Sequence, residues 1–382
     1  MNYIICHYDE IGLKGNNRRF FEEKLIENIK HSLDFSFFQF VKRISGRLIV
    51  KLTAKGEENQ EKIKGSLKNV FGLAHFSLAQ ETKQDIDVIQ EQAFKILKQK
   101  KFESFKVFTQ RSKKDFYLTS PEINKKVGGF IVKKLNKKVD LENPDVTFFI
   151  EIVEDLAFVY LEKNPGPGGL PVGSSGKALC LLSGGIDSSV AAFYGLRRGL
   201  NLIFCHFYTG DEKSLEKIKR LVRVLNKYQF KSKLYLISFL KFHQYIFKDS
   251  RIKSVCLLCR RMMFRIAELL AEKEKCSAIV TGENLGQVAS QTIENIKVIE
   301  EVTPLPVLRP LIGQDKKEII SKAREIGTYE LSVLPETFYC QSFLPKHPTT
   351  KAYLEQIKAL EKNLSVENFV KDLLKEVKME EI

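Results

Sequence analysis

Six residues near the middle of this 382-residue chain, Ser183-Gly184-Gly185-Ile186-Asp187-Ser188, have the types and spacing to hold a phosphate. They follow an apolar run at 177–182 that reads as a buried parallel strand, and they precede the helical pattern Val190-Ala191-Ala192-Phe193. A strand that turns through two glycines into a helix N-terminus lets backbone N–H groups close around an anion, and the helix dipole adds to the attraction. Gly184 and Gly185 permit positive φ and close backbone approach. Asp187 and Ser188 are expected to cap the helix and to hold Mg²⁺ on a nucleotide. No Gly-Lys-Ser/Thr follows, which excludes a Walker A loop. An ordinary glycine turn in an α/β unit is the plainer alternative.

Three of the seven cysteines form a second chemistry-bearing group. Cys256-Leu257-Leu258-Cys259 opens a helical stretch continuing Arg260-Arg261-Met262-Met263-Phe264-Arg265. Cysteines at i and i+3 lie on one helix face, within roughly 6 Å. The helix N-terminus, Arg260 and Arg261 are expected to lower the thiol pKa. Cys340 stands alone in a loop-like segment at 336–345. Two thiols are too few for a tetrahedral zinc site, while a third arriving from a loop leaves one position open. Cys6, Cys180 and Cys205 sit in apolar strands and read as core, and Cys276 reads as structural.

The elements that must position these residues follow from periodicity. Residues 1–75 read as strand 3–8, helix 17–32 and a hairpin of 37–43 with 47–52 through Ser45-Gly46, a β-α-β-β beginning compatible with a ferredoxin-like module. The polar loop at 9–18 carries Lys14 and Arg18, candidates for phosphate contact. Residues 76–163 read as helix 86–100, strand 104–110, a helix from Ser120-Pro121 to Leu135, and strands 146–153 and 156–161. This stretch carries Arg111, Lys113, Lys114, Lys125, Lys126, Lys133 and Lys134, while Phe108 and Phe116 read as core. A solvated charged face is the alternative for the lysines. Between Asn164 and Gly176, eight of thirteen residues are Pro or Gly, a density that opposes helix and strand and marks the principal boundary. From 177 to 382 strands at 177–182, 201–208, 233–238 and 276–281 alternate with helices at 187–198, 213–228, 256–273 and 315–326. That alternation implies a parallel doubly wound sheet with its ligand at the strands' C-terminal edge. Ser183-Gly184-Gly185, His206-Phe207 and Thr281-Gly282-Glu283-Asn284 all fall on that edge.

Composition bounds the setting. A formal net charge of +15 and a pI near 9.3 point to a polyanionic partner. No run approaches the roughly 18 apolar residues a membrane helix needs, and the N-terminus reads as a strand rather than a signal peptide. Seven cysteines without a secretion signal are expected in a reducing cytoplasm.

The order Ser-Gly-Gly-x-Asp-Ser resembles the PP-loop of ATP pyrophosphatases, and the basic middle stretch resembles the RNA-binding THUMP domain. Further motifs extend the resemblance along the chain: 9–18, 169–177, Arg260-Arg261-Met262-Met263, 281–292, Arg309-Pro310-Leu311-Ile312-Gly313, and the Cys340 segment with Pro348-Thr349. From near residue 1 to about 352 the chain resembles the tRNA 4-thiouridine synthetase (ThiI) family, in its short form without a rhodanese domain.

The resemblance implies an α/β protein with a ferredoxin-like α+β domain (1–75), a THUMP domain (76–163), a linker (164–176) and a PP-loop domain (177–382). It implies ATP-dependent thiolation of a tRNA uridine, at position 8. ATP and Mg²⁺ adenylate O4 with release of pyrophosphate, then sulfur displaces AMP. Leu181, Leu182, His206, Phe207, Arg260, Gly282 and Gln291 match the family's ATP-contacting positions, with Ser183, Gly184, Gly185, Asp187 and Ser188 on the phosphates and Cys340 as the catalytic cysteine. Members with Cys-x-x-Cys plus the distal cysteine resemble a subgroup that holds an iron–sulfur cluster on three thiols, here Cys256, Cys259 and Cys340. A Cys340 persulfide, resolved by Cys256 or Cys259, is the alternative. The implied partners are tRNA and a sulfur donor, a cysteine desulfurase or sulfide. One subunit or a homodimer both suit the RNA. Some members also supply sulfur for thiamine thiazole synthesis. An idle nucleotide fold that only binds tRNA, and a different PP-loop reaction, are the competing readings.

Overall fold

The structure, a computed structural model, describes residues 1–112, 115–210, 212–247, 254–334 and 348–382. They divide into two compact units, Met1–Pro171 and Val172–Ile382.

In the first unit, alternating apolar residues make β1 (Tyr3–His7), followed by α1 (Arg18–Ser32), and then β2 (Phe38–Ile44) and β3 (Arg47–Leu52). β2 and β3 pair antiparallel around Gly46, whose φ of +80° only glycine adopts freely. Helices α2 (Ala54–Glu58) and α3 (Gln60–Leu67) lead to β4 (His75–Thr82), a strand the sequence pattern does not announce. After it come α4 (Ile86–Leu97), β5 (Ser104–Arg111), α5 (Ser120–Leu135), β6 (Lys138–Val139), β7 (Val146–Val153), β8 (Leu156–Tyr160) and β9 (Asn164–Pro165). All nine strands join one sheet, in the order β2-β3-β1-β4-β8-β7-β5-β6, with β9 also on β4. The expected division at 75/76 falls on the first residues of β4, which pairs with β1 through His75–Ala79 and with β8 through Gln80–Thr82.

One face of this sheet packs on α1 and α3 around Leu25, Ile29, Ile63 and Leu67, and on α4 and α5 around Ile89, Ala93, Ile123 and Val127. On the other face Tyr3, Ile5 and Ile49 meet Phe158 and Tyr160, with the Tyr3 and Phe158 rings edge to face at 5.3 Å. Glu151 is buried there. It accepts hydrogen bonds from His7 Nε2 (2.9 Å), Tyr160 Oη (2.5 Å) and Arg47 Nη1. Burial pushes its pKa up, but the bonds and the Arg47 charge outweigh burial and hold it at about 2. Phe116 is core, but Phe108 is 43% exposed. The β5 alternation turns Phe105 and Val107 inward and Phe108 outward, beneath Lys163 Nζ at 5.6 Å.

The Gly/Pro-rich stretch is more ordered than its composition suggests. Asn164–Pro165 pairs with His75–Phe76, and Gly166 N and Gly168 N donate to Ala74 O (2.9 Å) and Leu73 O (2.8 Å). A Cβ on Gly166 would lie 2.2 Å from Leu73 O, so glycine is what permits this approach. The unit boundary at Pro171/Val172 lies within the expected linker.

In the second unit, β10 (Lys177–Leu181), α6 (Ile186–Arg197), β11 (Asn201–Tyr208), α7 (Glu212–Gln229) and β12 (Lys233–Ser238) alternate as expected. They are followed by α8 (Leu240–Ile246), α9 (Val255–Glu274), β13 (Ile279–Val280), α10 (Ile293–Glu300), β14 (Val307–Leu308) and α11 (Lys316–Glu325). The chain then adds α12 (Tyr329–Ser332), α13 (Leu354–Lys362), α14 (Val366–Lys375) and β15 (Lys378–Glu381). The sheet order is β14-β13-β10-β11-β12-β15, parallel except for β15, which runs antiparallel on β12. The expected all-parallel sheet therefore gains an antiparallel edge, where Lys378, Glu380 and Glu381 suit an exposed strand. The expected strand at 276–281 shortens to two residues, because Cys276 N still caps α9 by donating to Ala271 O (2.8 Å). Leu179, Ile203, Cys205 and Tyr235 bury one face of the sheet with α9, α10, α13 and α14. The alternate residues Ala178, Cys180, Leu202 and Phe204 are fully buried on the opposite face, the side of α6 and α7. Cys6, Cys180, Cys205 and Cys276 are buried, as expected for packing residues.

Candidate active site

The turn after β10 is tied by its own serines. Gly184 has φ +83°, Ser183 Oγ accepts from Gly185 N (3.3 Å), and Ser188 Oγ accepts from Ser183 N (3.1 Å). Gly185, rather than Asp187 or Ser188, is the N-cap of α6, and no side chain caps it. The reason is that Ser188 turns back, donating to Gly185 O (3.2 Å) and bracing the loop. A helix N-terminus without a side-chain cap keeps its N–H groups for an external anion.

A cavity of about 340 Å³ opens beside this turn. Leu181, Ser183, Gly185, Asp187, Ser188, Arg260, Gly282 and Gln291 line it, so eight of the expected nucleotide residues converge from four parts of the unit. Leu182, Gly184, His206 and Phe207 are not among its walls. His206 is buried behind the loop, its Nδ1 donating to Leu182 O (2.7 Å), while its Nε2 has no partner among the described residues. Burial drops its pKa to about 4, so the ring is neutral. Phe207 packs edge to face on Phe239. Gly282 has a steric reason of its own: a Cβ there would lie 2.6 Å from Ser188 N. The β13 turn and the α6 N-terminus are thus in backbone contact.

The structure gives roles to residues that the sequence reading leaves without one. Lys316, at the start of α11, places Nζ 2.5 Å from Asp187 Oδ1, and Gln287 Nε2 donates to Asp187 Oδ2 at 2.8 Å. The Asp315–Glu318 capping box explains the local Asp-Lys-Lys-Glu pattern as a helix start, which masks the role of Lys316. Met263 and Phe264 supply an apolar wall. Glu283, also in the wall, accepts from Arg260 Nη1 and from Arg309 Nε (2.7 Å). Arg260 is pushed down to about 10 by burial, with Arg309 adding to the effect, and stays cationic at neutral pH.

Cys256, on the first turn of α9, is half-buried and Cys259 is buried in the core. The expected lowering of the thiol pKa is overturned at Cys256. Burial raises it and outweighs the opposing charge of Arg260. Arg261 does not help, because its guanidinium is buried against Glu361 (Nε and Nη2, both 2.9 Å) and Val298 O. Cys340, the third thiol, lies outside the described residues, as do Lys113 and Lys114. Among the described residues no three His, Cys, Asp or Glu side chains are grouped to hold a metal ion.

The candidate RNA residues belong to the first unit. Lys125, Lys126, Lys133 and Lys134 are exposed along α5, with Lys134 Nζ over the Phe130 ring at 5.5 Å. Lys14 lies over Phe21 at 4.9 Å. Arg18 and Arg111 have structural partners. Arg18 Nη2 donates to Tyr8 Oη (2.6 Å) and Arg18 Nε to Glu22 (3.1 Å), while Arg111 Nη1 donates to Leu118 O (2.7 Å). Among the described residues no helix is long and apolar enough to cross a membrane.

Comparison with known proteins places this geometry. Residues 173–366 match the family described as thiamine biosynthesis protein (ThiI), 3–77 the ThiI ferredoxin-like domain, and 83–162 the THUMP domain. Relatives that carry the name "Probable tRNA sulfurtransferase" include those of Moorella thermoacetica and Methanocaldococcus jannaschii. That of Moorella thermoacetica is 40% identical over 98% of this chain and 96% of its own. That of Methanocaldococcus jannaschii is 42% identical over 95% and 97%. A 4-thiouridine synthetase, solved as an RNA complex with bound ATP, is 35% identical and superposes with a TM-score of 0.89 over the whole of both chains.

Proposed function

The chain belongs to the ThiI family, and from that membership we propose that it is an ATP-dependent tRNA sulfurtransferase whose product is 4-thiouridine. The observation that carries the reading is the meeting of Lys316, Asp187 and the glycine turn at the mouth of a cavity whose wall includes Arg260.

A carbonyl oxygen such as uracil O4 leaves poorly, so the base must first be activated. In the proposed first step O4 attacks the α-phosphorus of ATP. Pyrophosphate departs, the N3 proton is lost, and O4 becomes an adenylate ester. The N–H groups at the uncapped N-terminus of α6, Arg260 and Lys316 are arranged to carry the negative charge that develops on the phosphates. Met263 and Phe264 offer the adenine an apolar wall. Asp187 is the hard oxygen donor that fits Mg²⁺, which when bound neutralises phosphate charge.

In the second step sulfur attacks C4 and AMP leaves. We assign sulfur handling to Cys256, Cys259 and Cys340. The three thiols suit a cluster ligand set, and equally a Cys340 persulfide whose C4-bound disulfide is cleaved by Cys256 or Cys259. Anaerobic determination of iron and acid-labile sulfide on the wild type and Cys256→Ala separates these two forms. A further role in thiazole sulfur supply is tested by growth without thiamine. The exposed lysines of α5, with Lys14, are the proposed RNA contacts, through the backbone rather than base edges.

The deciding experiment incubates the chain with ATP, Mg²⁺, unmodified tRNA and a sulfur donor, either sulfide or a cysteine desulfurase with cysteine, and follows pyrophosphate. RNA-dependent pyrophosphate release together with 4-thiouridine in the digested tRNA supports the reading. Absence of both overturns it.

A further inference from the structure

Glu283 divides its two carboxylate oxygens between two arginines. Oε1 accepts from Arg260 Nη1, while Oε2 accepts from Arg309 Nε at 2.7 Å and from Thr281 Oγ1 at 3.2 Å. Arg309 is itself fixed from behind by Glu300 of α10, and it does not line the cavity. A guanidinium offered a whole carboxylate takes both oxygens along one edge, as Arg261 does with Glu361 in this same unit. At Glu283, Oε2 already accepts two donors, from Arg309 and Thr281, as many as either Glu361 oxygen takes from Arg261 and Arg265 together. Arg260 is therefore limited to one contact through Nη1, and its remaining donors stay with the cavity.

We propose that Arg309 is a positioning residue for nucleotide binding: by occupying Oε2 of Glu283 it stops Arg260 from closing a two-oxygen pair and keeps that guanidinium available to an anion in the cavity. The proposal rests on the reading of Arg260 as an anion-binding residue. Without Arg309, Glu283 would be a buried carboxylate with one cationic partner. Arg260 would then turn to satisfy it and withdraw from the ligand.

The test measures binding of Mg²⁺-ATP to the full chain by calorimetry, with thermal melting of every variant. Arg260→Met sets the loss expected when the guanidinium is absent. Arg309→Met is expected to weaken ATP binding about tenfold, and to raise KM for ATP by a similar factor with kcat changed less than about threefold. Glu283→Gln replaces the carboxylate by a neutral amide that no longer draws Arg260 as strongly. In that background Arg309→Met should cost less than about twofold. A folded Arg309→Met that binds ATP as the wild type does overturns the proposal, and so does a loss that persists undiminished beside Glu283→Gln. If Arg309→Met fails to fold, Arg309→Gln, which also removes the charge, takes its place under the same rule. If Arg260→Met binds ATP normally, the cavity reading itself fails and takes this proposal with it. Loss in Arg260→Met with none in Arg309→Met removes this proposal alone.

Discussion

Lys316 Nζ lies 2.5 Å from Asp187 Oδ1, a pair that spans 129 residues of sequence and joins the first turns of α6 and α11. The pair is partly exposed, so its net contribution to folding is within about 1 kcal/mol. Its meaning is therefore chemical. Lys316→Ala should lower RNA-dependent pyrophosphate release by about 10²-fold or more, as loss of a charge-stabilising donor does, while leaving the melting temperature nearly unchanged. Lys316→Arg should recover part of the rate. Pyrophosphate kinetics beside thermal melts check this, and a fully active Lys316→Ala would remove Lys316 from the phosphate site.

Gly282→Ala is expected to disrupt the site through sterics alone. The new Cβ would meet Ser188 N at 2.6 Å, backbone on both sides, and neither element can yield by rotating a side chain. We expect destabilisation of about 1–3 kcal/mol and loss of ATP binding. Gly313→Ala, with nothing within 4 Å of the added carbon, is the control and should be near neutral. Equal behaviour of the two variants in calorimetry and melting would contradict the contact.

Glu361 should control the acid limb of stability. It accepts bidentate pairs from Arg261 (both 2.9 Å) and Arg265 (2.6 and 2.8 Å), and it ties α13 to α9. Burial pushes its pKa up, but the two guanidinium groups prevail and hold it at about 2, below the ordinary 4.5. A carboxylate lowered on folding stabilises above its unfolded pKa and loses that stabilisation as pH falls through the folded value. The wild type should therefore exceed Glu361→Gln by about 2–3 kcal/mol at neutral pH, with the gap closing between about pH 4.5 and pH 2. Urea melts at several pH values measure it. A gap that does not narrow in acid would assign the effect to packing.

RNA binding should weaken steeply with salt. If about six phosphates are neutralised, log Kd against log salt has a slope near 4 to 5 in magnitude. Lys125→Gln and Lys133→Gln should each reduce it by about 0.7–0.9 and affect all tRNA sequences alike. A flat salt response would contradict the basic face.

The two half-reactions should separate at Cys340. Cys340→Ser should abolish 4-thiouridine formation and still release pyrophosphate, because activation of the base needs no thiol. Radiolabelled ATP with nucleoside analysis of the tRNA reads both. Undiminished thiolation by this variant would clear Cys340 of sulfur transfer.

Much of the site is legible in the chain because its parts are local. Ser183-Gly184-Gly185 announces a turn after an apolar run, and the strand ends at Leu181 and Val280 fall where parallel topology puts a ligand. The rest depends on tertiary contacts that no short window encodes. Lys316 reads as helix start, Arg309 belongs to a motif whose partners the sequence does not name, and β4 carries too mixed a pattern to stand out until β1 and β8 flank it. The thiol at Cys256 misleads for a related reason. Neighbouring arginines in sequence suggest an acidic thiol, but Arg261 turns away and burial wins at that position.

The double pairing of β4 has a practical outcome for anyone dissecting the molecule. A fragment that stops before His75 would leave the edge of β1 bare. One that starts after Thr82 would do the same to β8, and bare strand edges invite aggregation. The segments on either side of β4 should therefore melt in a single step, and expression boundaries belong near residue 171.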